Sequence, residues 1–205
     1  MEAILDRYAA APDPLHPVIC LDERPYSLRA ETRTPLPAVP GRRRRIDDEY
    51  ARGGTGRLAV AIDRHRGWRH VWVGERRPTV DVAGWVKDLV DEHYPHAESI
   101  RLVVDNLNTH TPAACYAAFS PEEARRLARM VEFHDTPKHG SWLNLVEIEL
   151  SVLASQCLDR RLSSIAAVHT EVAAWTAERN AKRKTIDWGF TTEDARHKLG
   201  RRYPT

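Results

Sequence analysis

Two short apolar runs in this chain each end on an acid. Val18-Ile-Cys-Leu21 stops at Asp22, and Ile100-Arg-Leu-Val-Val104 stops at Asp105. Near-continuous apolar runs of this length read as strands buried on both faces. Arg57-Leu-Ala-Val-Ala-Ile62 and Trp68-Arg-His-Val-Trp-Val73, joined around Gly67, predict an antiparallel hairpin, and Val131 to Thr136, stopped by Pro137, a fifth strand. Helical spacing appears at Val82, Trp85, Val86, Leu89 and Val90, and again at Ile165, Val168, Val172 and Trp175. Thr111-Pro112 and Ser120-Pro121 read as N-caps followed by proline, the second with Glu123 in capping-box position. A long apolar helix is predicted from the Ser141 region to about Leu158, and a short one from Thr192 to Leu199 with Gly200 as its stop.

Two segments look peripheral. Ile4, Leu5 and Tyr8 form a helical stripe that breaks at Pro12 and Pro14, so residues 1–16 read as a short helix and linker outside the core. Residues 24–56 contain Pro35, Pro37, Pro40, Gly41, Arg42-Arg-Arg-Arg45 and Gly53-Gly54, which predicts a long basic loop. The main domain is then 17–200, with 201–205 as a tail. Grouped strands followed by strand–helix alternation imply an α/β fold: a mixed sheet with helices on both faces. Sites in such sheets gather at the carboxyl ends of strands, where Asp22 and Asp105 fall.

Charge adds little by its total and more by its placement. Thirty-one basic and 29 acidic residues leave a net charge of +2, so no strong field selects a partner. The positive charge is local, in Arg42–Arg45, Lys182-Arg-Lys184 and Arg201-Arg202, and arginine, whose planar fork suits phosphate, outnumbers lysine. Cys20, Cys115 and Cys157 are scattered and odd in number, which argues against a disulfide framework or zinc knuckle. There is no signal-peptide pattern and no apolar stretch of about 20 residues, so the expectation is a cytoplasmic protein with no membrane contact.

The acids carry the candidate chemistry. A carboxylate at the tip of a buried strand is costly unless a cation neutralises it. Two strand tips and a third acid on a helix suit two divalent ions clamping the oxygens of an in-line phosphoryl displacement, and all-oxygen ligands favour Mg²⁺, with Mn²⁺ able to substitute. Glu23 competes with Asp22, because successive strand residues face opposite sides. Glu147 competes with Glu149 in a helix apolar nearly all round, so periodicity does not choose between them. Asn144 and Ser151 lie one turn from Glu147, on the face from which they could orient its carboxylate.

Leu21-Asp-Glu23, Glu49-Tyr-Ala-Arg-Gly-Gly-Thr55, Val103-Val-Asp-Asn-Leu-Asn-Thr-His110, Thr136-Pro-Lys-His-Gly-Ser-Trp-Leu-Asn-Leu-Val-Glu147 and Phe190-Thr-Thr-Glu-Asp-Ala-Arg-His-Lys-Leu199 stand in order along the chain. Together these blocks resemble the DDE transposases of bacterial insertion sequences in the mariner superfamily. The resemblance implies an RNase H-like fold with a five-stranded sheet, two Mg²⁺ ions, and Asp22, Asp105 and Glu147 as catalytic, metal-holding acids. The Trp-Leu-Asn-x-x-Glu pattern favours Glu147 over Glu149. The implied activity is cleavage and strand transfer at transposon ends, with DNA as partner and a homo-oligomer assembled on it. Family members usually carry helix-turn-helix domains ahead of the catalytic domain, so the expectation is a catalytic-domain fragment. Asn106, His110 and Asn144 are candidates for supporting or phosphate contacts, and Arg42, Arg43, Arg44, Arg45, Lys138 and Trp142 for DNA contact. The alternatives are an RNase H-like nuclease on the same fold, or a DNA-binding relic that no longer cuts.

Overall fold

The computed structural model describes residues 1–75, 78–105 and 111–200. In chain order the elements are α1 (Glu2–Ala9), β1 (Val18–Glu31), β2 (Tyr50–Asp63), β3 (Trp68–Gly74), α2 (Pro78–Asp88), β4 (Ile100–Val104), α3 (Ala113–Ala118), α4 (Pro121–Met130), β5 (Val131–Asp135), α5 (Val146–Gln156), α6 (Ile165–Ala181) and α7 (Thr192–Leu199). The five strands form one sheet in the order β3-β2-β1-β4-β5. β1 and β2, and β2 and β3, run antiparallel, while β4 lies parallel to both β1 and β5.

Strand alternation divides the core into two layers. Ile19, Leu21, Ala59, Ala61, Ile100, Leu102 and Val104 meet α2, α3 and α4 through Val82, Val86, Leu127 and their neighbours. Cys20, Leu58, Val60, Ile62 and Val103 face the other way, onto α1, α5 and α6 through Ile4, Tyr8, Leu150, Leu153, Val168 and Val172. Ser120 caps α4 as its sequence predicts, accepting from the Glu123 N–H, but the Glu123 carboxylate is bonded to Arg126 and Lys87 instead of closing the box.

Two expectations are corrected. Residues 1–16 are not external to the core: Ile4, Leu5 and Tyr8 are buried, and the Tyr8 hydroxyl donates to the Leu143 carbonyl at 2.9 Å. An isolated two-turn helix is marginal in water, and this one is held by the apolar stripe it lays against the sheet.

Residues 24–56 are not one loop either. β1 runs on to Glu31 and β2 starts at Tyr50, making a long two-stranded arm and leaving only 32–49 between them. The glycines that read as breakers serve the arm. Between the pairs Ser27↔Thr55 and Arg29↔Arg52 the register shifts, so Gly53 and Gly54 oppose Leu28 alone, and Gly54 takes the positive φ (98°) of this bulge. A Cβ on Gly56 would stand 2.3 Å from Ile165 Cδ1, so a larger residue there would make the Ile165 side chain shift. Arg161 ties down the base of the 32–49 segment, donating to Glu31 Oε2 at 2.5 Å and to the Glu49 carbonyl at 2.9 Å.

Candidate active site

The β1–β4 ladder ends at Leu21↔Val104, so the next residues of the two parallel strands are Asp22 and Asp105. Neighbouring strands lie about 4.8 Å apart. Alternation puts both aspartates on the side of Cys20 and Val103, the side covered by α5. Glu23 consequently faces the opposite layer, where it forms an ion pair with Arg57. That pairing separates Asp22 from its sequence rival.

Asp22 is only 6% exposed, and its Oδ1 accepts from the Glu23 N–H at 2.7 Å. Asp105 Oδ1 accepts from the Thr136 hydroxyl at 3.3 Å and lies 3.5 Å from Asn144 Nδ2. Asn144 is fully buried and spans the site: Nδ2 also donates to the Leu21 carbonyl at 2.9 Å, and Oδ1 accepts from the Val146 N–H at 3.3 Å, at the start of α5. It therefore ties both strand ends to the helix. Its donor goes to Asp105 and β1, not to Glu147 as the helical spacing suggested. Thr136 was missed by sequence reasoning; its position at the end of β5, just before a proline, was the available signal.

Glu147 and Glu149 stand in the first turn of α5 on opposite sides. Glu149 is fully buried, with Arg179 Nε at 2.7 Å and Arg69 Nε at ion-pair distance, 2.8 Å. Glu147 is exposed, and its backbone N–H bonds the Asn144 carbonyl at 3.1 Å. The carboxylate saturated by guanidinium is thus Glu149, and the one left exposed is Glu147. Asp22 and Asp105 share the side of the sheet that α5 covers. Even so, among the described residues no three His, Cys, Asp or Glu side chains close into a metal-holding group. The residues are of the chemistry a hard divalent cation takes: carboxylates at two adjacent strand ends, one of them buried.

The remaining candidates are dispersed. Asn106 and His110 lie outside the described residues. Lys138 is exposed on the turn before α5, and Trp142 is 44% exposed, its ring edge-on to Phe190 at 5.5 Å. Arg42–Arg45 are exposed on a small secondary hairpin whose bridges are Val39↔Arg42 and Leu36↔Arg45. From Asp22 to the end of β1 is nine residues, about 30 Å of extended chain, so this run belongs to the tip of the arm and not to the carboxylate site. Burial pushes the Cys20 thiol, two residues before Asp22, up to about 12, which leaves it protonated and inert.

A family model described as DDE superfamily endonuclease matches residues 17–169. No curated protein matches the chain. Among solved structures, the chain resembles the Mos1 mariner paired end complex with Mn (TM-score 0.56, 18% identity, 89% of this chain and 55% of that one). It also resembles the Mos1 Strand Transfer Complex (0.56, 17%, 89% and 54%) and a pre-cleavage Mos1 transpososome (0.51, 18%, 92% and 61%). The chain spans little more than half the length of these structures. At such identities the likeness is one of fold, the RNase H-like α/β architecture expected from the sequence.

Proposed function

The chain belongs to the DDE superfamily endonucleases, and on that basis we propose that it is the catalytic domain of a transposase. It would cleave DNA at the ends of a mobile element and join the freed ends to target DNA. The observation that carries the proposal is that Asp22 and Asp105 end adjacent strands on the side of the sheet covered by α5, the helix whose first turn carries Glu147.

Asp22 and Asp105 would hold divalent cations, Mg²⁺ or Mn²⁺, with Glu147 completing the ligand set of a two-ion site. The structures this fold resembles include Mos1 complexes with Mn and with Mg. Bound there, the ions supply charge neutralisation at the phosphodiester and a more acidic attacking water. The chain's own residues supply position. Asn144 and Thr136 hold the Asp105 carboxylate, Asn144 also anchors the β1 tip, and the Glu149 ion pairs fix α5 from its far side. Two in-line displacements would follow: water attacks the phosphorus and the P–O3′ bond breaks to release a 3′-hydroxyl, and that hydroxyl then attacks a target phosphodiester, forming a new P–O bond as the target's own P–O3′ bond breaks and its 3′-hydroxyl leaves. No covalent enzyme–DNA bond forms, so catalysis is positioning and charge stabilisation.

DNA is the proposed substrate, and a homo-oligomer on paired ends the proposed working form. Arg42–Arg45 at the tip of the arm, with Lys138 and Trp142 beside α5, are the proposed DNA contacts. The deciding experiment is nicking of supercoiled plasmid with Mg²⁺ or Mn²⁺ against an EDTA control, for the parent and for Asp105→Asn. Metal-dependent nicking lost in the variant supports the reading. A parent that binds DNA but never nicks it would turn the conclusion to a DNA-binding relic.

A further inference from the structure

Two residues beyond Asp22 along β1 begins a cleft of about 330 Å³ that the reading above leaves unassigned. One wall is the part of β1 just beyond the site, with Arg24, Tyr26 and Arg29, and the other is the end of α5 and its following turn, with Leu158, Asp159 and Arg160. Strand alternation places Asp22, Arg24 and Tyr26 on the same side of β1, each about 6.6 Å from the next. Arg24 is therefore the first cationic side chain after Asp22 on the surface that carries the site. The spacing is on the scale of one nucleotide of backbone.

Tyr26 and Leu158 pack against the apolar layer below, and the Tyr26 hydroxyl donates to the Arg160 carbonyl at 3.1 Å, joining the two walls. Two of the three guanidinium groups already have partners. Arg160 donates from Nε to the Cys157 carbonyl at 2.8 Å and pairs with Glu171 at 2.8 Å, while Arg29 lies over the Tyr50 ring at 4.9 Å. Arg24 is exposed and makes no ion pair or hydrogen bond among the described residues. A single acid, Asp159, lines the same cleft.

We propose that this cleft is the track of the DNA strand next to the scissile phosphate, with Arg24 gripping the neighbouring phosphate in bidentate fashion. The proposal rests on the transposase reading for the chemistry at Asp22, but its ligand chemistry, a phosphodiester backbone met by an open guanidinium fork, stands on the cleft itself. Arg24 is a positioning residue: it sets where the strand lies and takes no part in bond making.

The test separates binding from cutting. Equilibrium binding of a fluorescein-labelled DNA duplex is measured in EDTA across a series of KCl concentrations, for the parent, Arg24→Ala, Arg24→Gln and the charge-matched control Arg125→Ala. Arg125 is exposed on α4, across the sheet from the cleft. The expected result is a log–log salt slope reduced by about 0.9 in both Arg24 variants, one phosphate contact, and unchanged in the control. In single-turnover nicking with Mn²⁺, the Arg24 variants should need more DNA for half-maximal rate while keeping the saturated rate, and Arg24→Lys should recover part of the loss. Arg24 variants with the parental slope, or an equal loss in Arg125→Ala, would overturn the proposal. Because binding is read without metal, a parent that fails to nick refutes the cutting chemistry and leaves the slope to decide the cleft.

Discussion

The two sides of α5 treat their acids in opposite ways. On the side facing β3 and α6, Glu149 is sealed from solvent between Arg69, itself only 2% exposed, and Arg179, which also lies over the Trp175 ring at 5.2 Å. Asn180 adds bonds from its side chain to both the N–H and the carbonyl of Arg69, capping the open edge of β3. On the other side, the donors that reach Asp22 and Asp105 include the Glu23 N–H and the Thr136 hydroxyl, and Glu147 is exposed. A buried carboxylate with built-in guanidinium partners has its charge permanently compensated and serves the fold. Asp22 and Asp105, at adjacent strand ends, and Glu147, exposed to solvent, are the acids proposed to meet a cation from solution.

The contrast should be widest at Glu149. Glu149→Gln leaves Arg69 buried without its counter-charge and should cost about 3–5 kcal/mol of stability, read by urea unfolding. Replacing the whole group, Arg69→Met with Glu149→Leu and Arg179→Met, should recover most of that loss, because the desolvation penalty disappears with the charges. If Glu149→Gln unfolds at the parental urea concentration, the structural role assigned to this side is wrong.

At the other side the sign depends on metal. Saturating Mn²⁺, at a hundredfold excess over its Kd, should stabilise the parent by about 2.7 kcal/mol in thermal unfolding. Asp105→Asn should lose most of that gain while the metal-free variant stays as stable as the parent or slightly more so, since one of two adjacent like charges is gone. Nicking should fall by about 10²–10³. A metal-induced rise that survives in Asp105→Asn would place the cation elsewhere.

β3 offers a third solution to burial, one residue from Arg69. His70 faces the opposite layer, its ring 4.6 Å from that of His93, and burial together with the neighbouring imidazole pushes it down to about 4. Burial also lowers His93. Here the charge is removed, not paired. Because the folded pKa lies below the ordinary 6.5, the unfolded chain takes up the proton first. Stability should therefore be level above pH 6.5 and fall as pH drops toward 4, by roughly 1–2 kcal/mol after allowing for solvent screening of a partly exposed ring. His70→Phe should flatten that slope; an unchanged pH profile would assign it to other groups.

The smallest effect on stability belongs to Glu147. Glu147→Gln, two residues from the most sensitive position, should change unfolding free energy by less than about 0.5 kcal/mol, as exposed substitutions do. Loss of nicking in this folded variant would complete the contrast. Full nicking in Glu147→Gln would remove it from the site.

Much of this was legible along the chain. The five strands and most helices follow from periodicity, because a residue's side of a strand or helix is set by its local geometry. The acid-tipped runs marked Asp22 and Asp105 before any sheet was known, since an acid ending an apolar run breaks its own local pattern. The long arm was hidden because Gly53 and Gly54 read as breakers, whereas they form a bulge opposite Leu28 in which Gly54 takes a positive φ. The burial of α1 was hidden because a short helix does not announce its partner.

The choice between Glu147 and Glu149 shows most clearly where local information stops. Both acids occupy one turn of a helix apolar on nearly every side, so no period separates them. Arg69 and Arg179, 80 residues before and 30 after Glu149, select it by sealing it in an ion pair. The sequence alone determined the elements, their order and the presence of carboxylates at strand ends. Which of the two helix acids is neutralised inside the fold and which is left exposed was decided only by tertiary structure, because charge compensation depends on distance in space and not on distance along the chain.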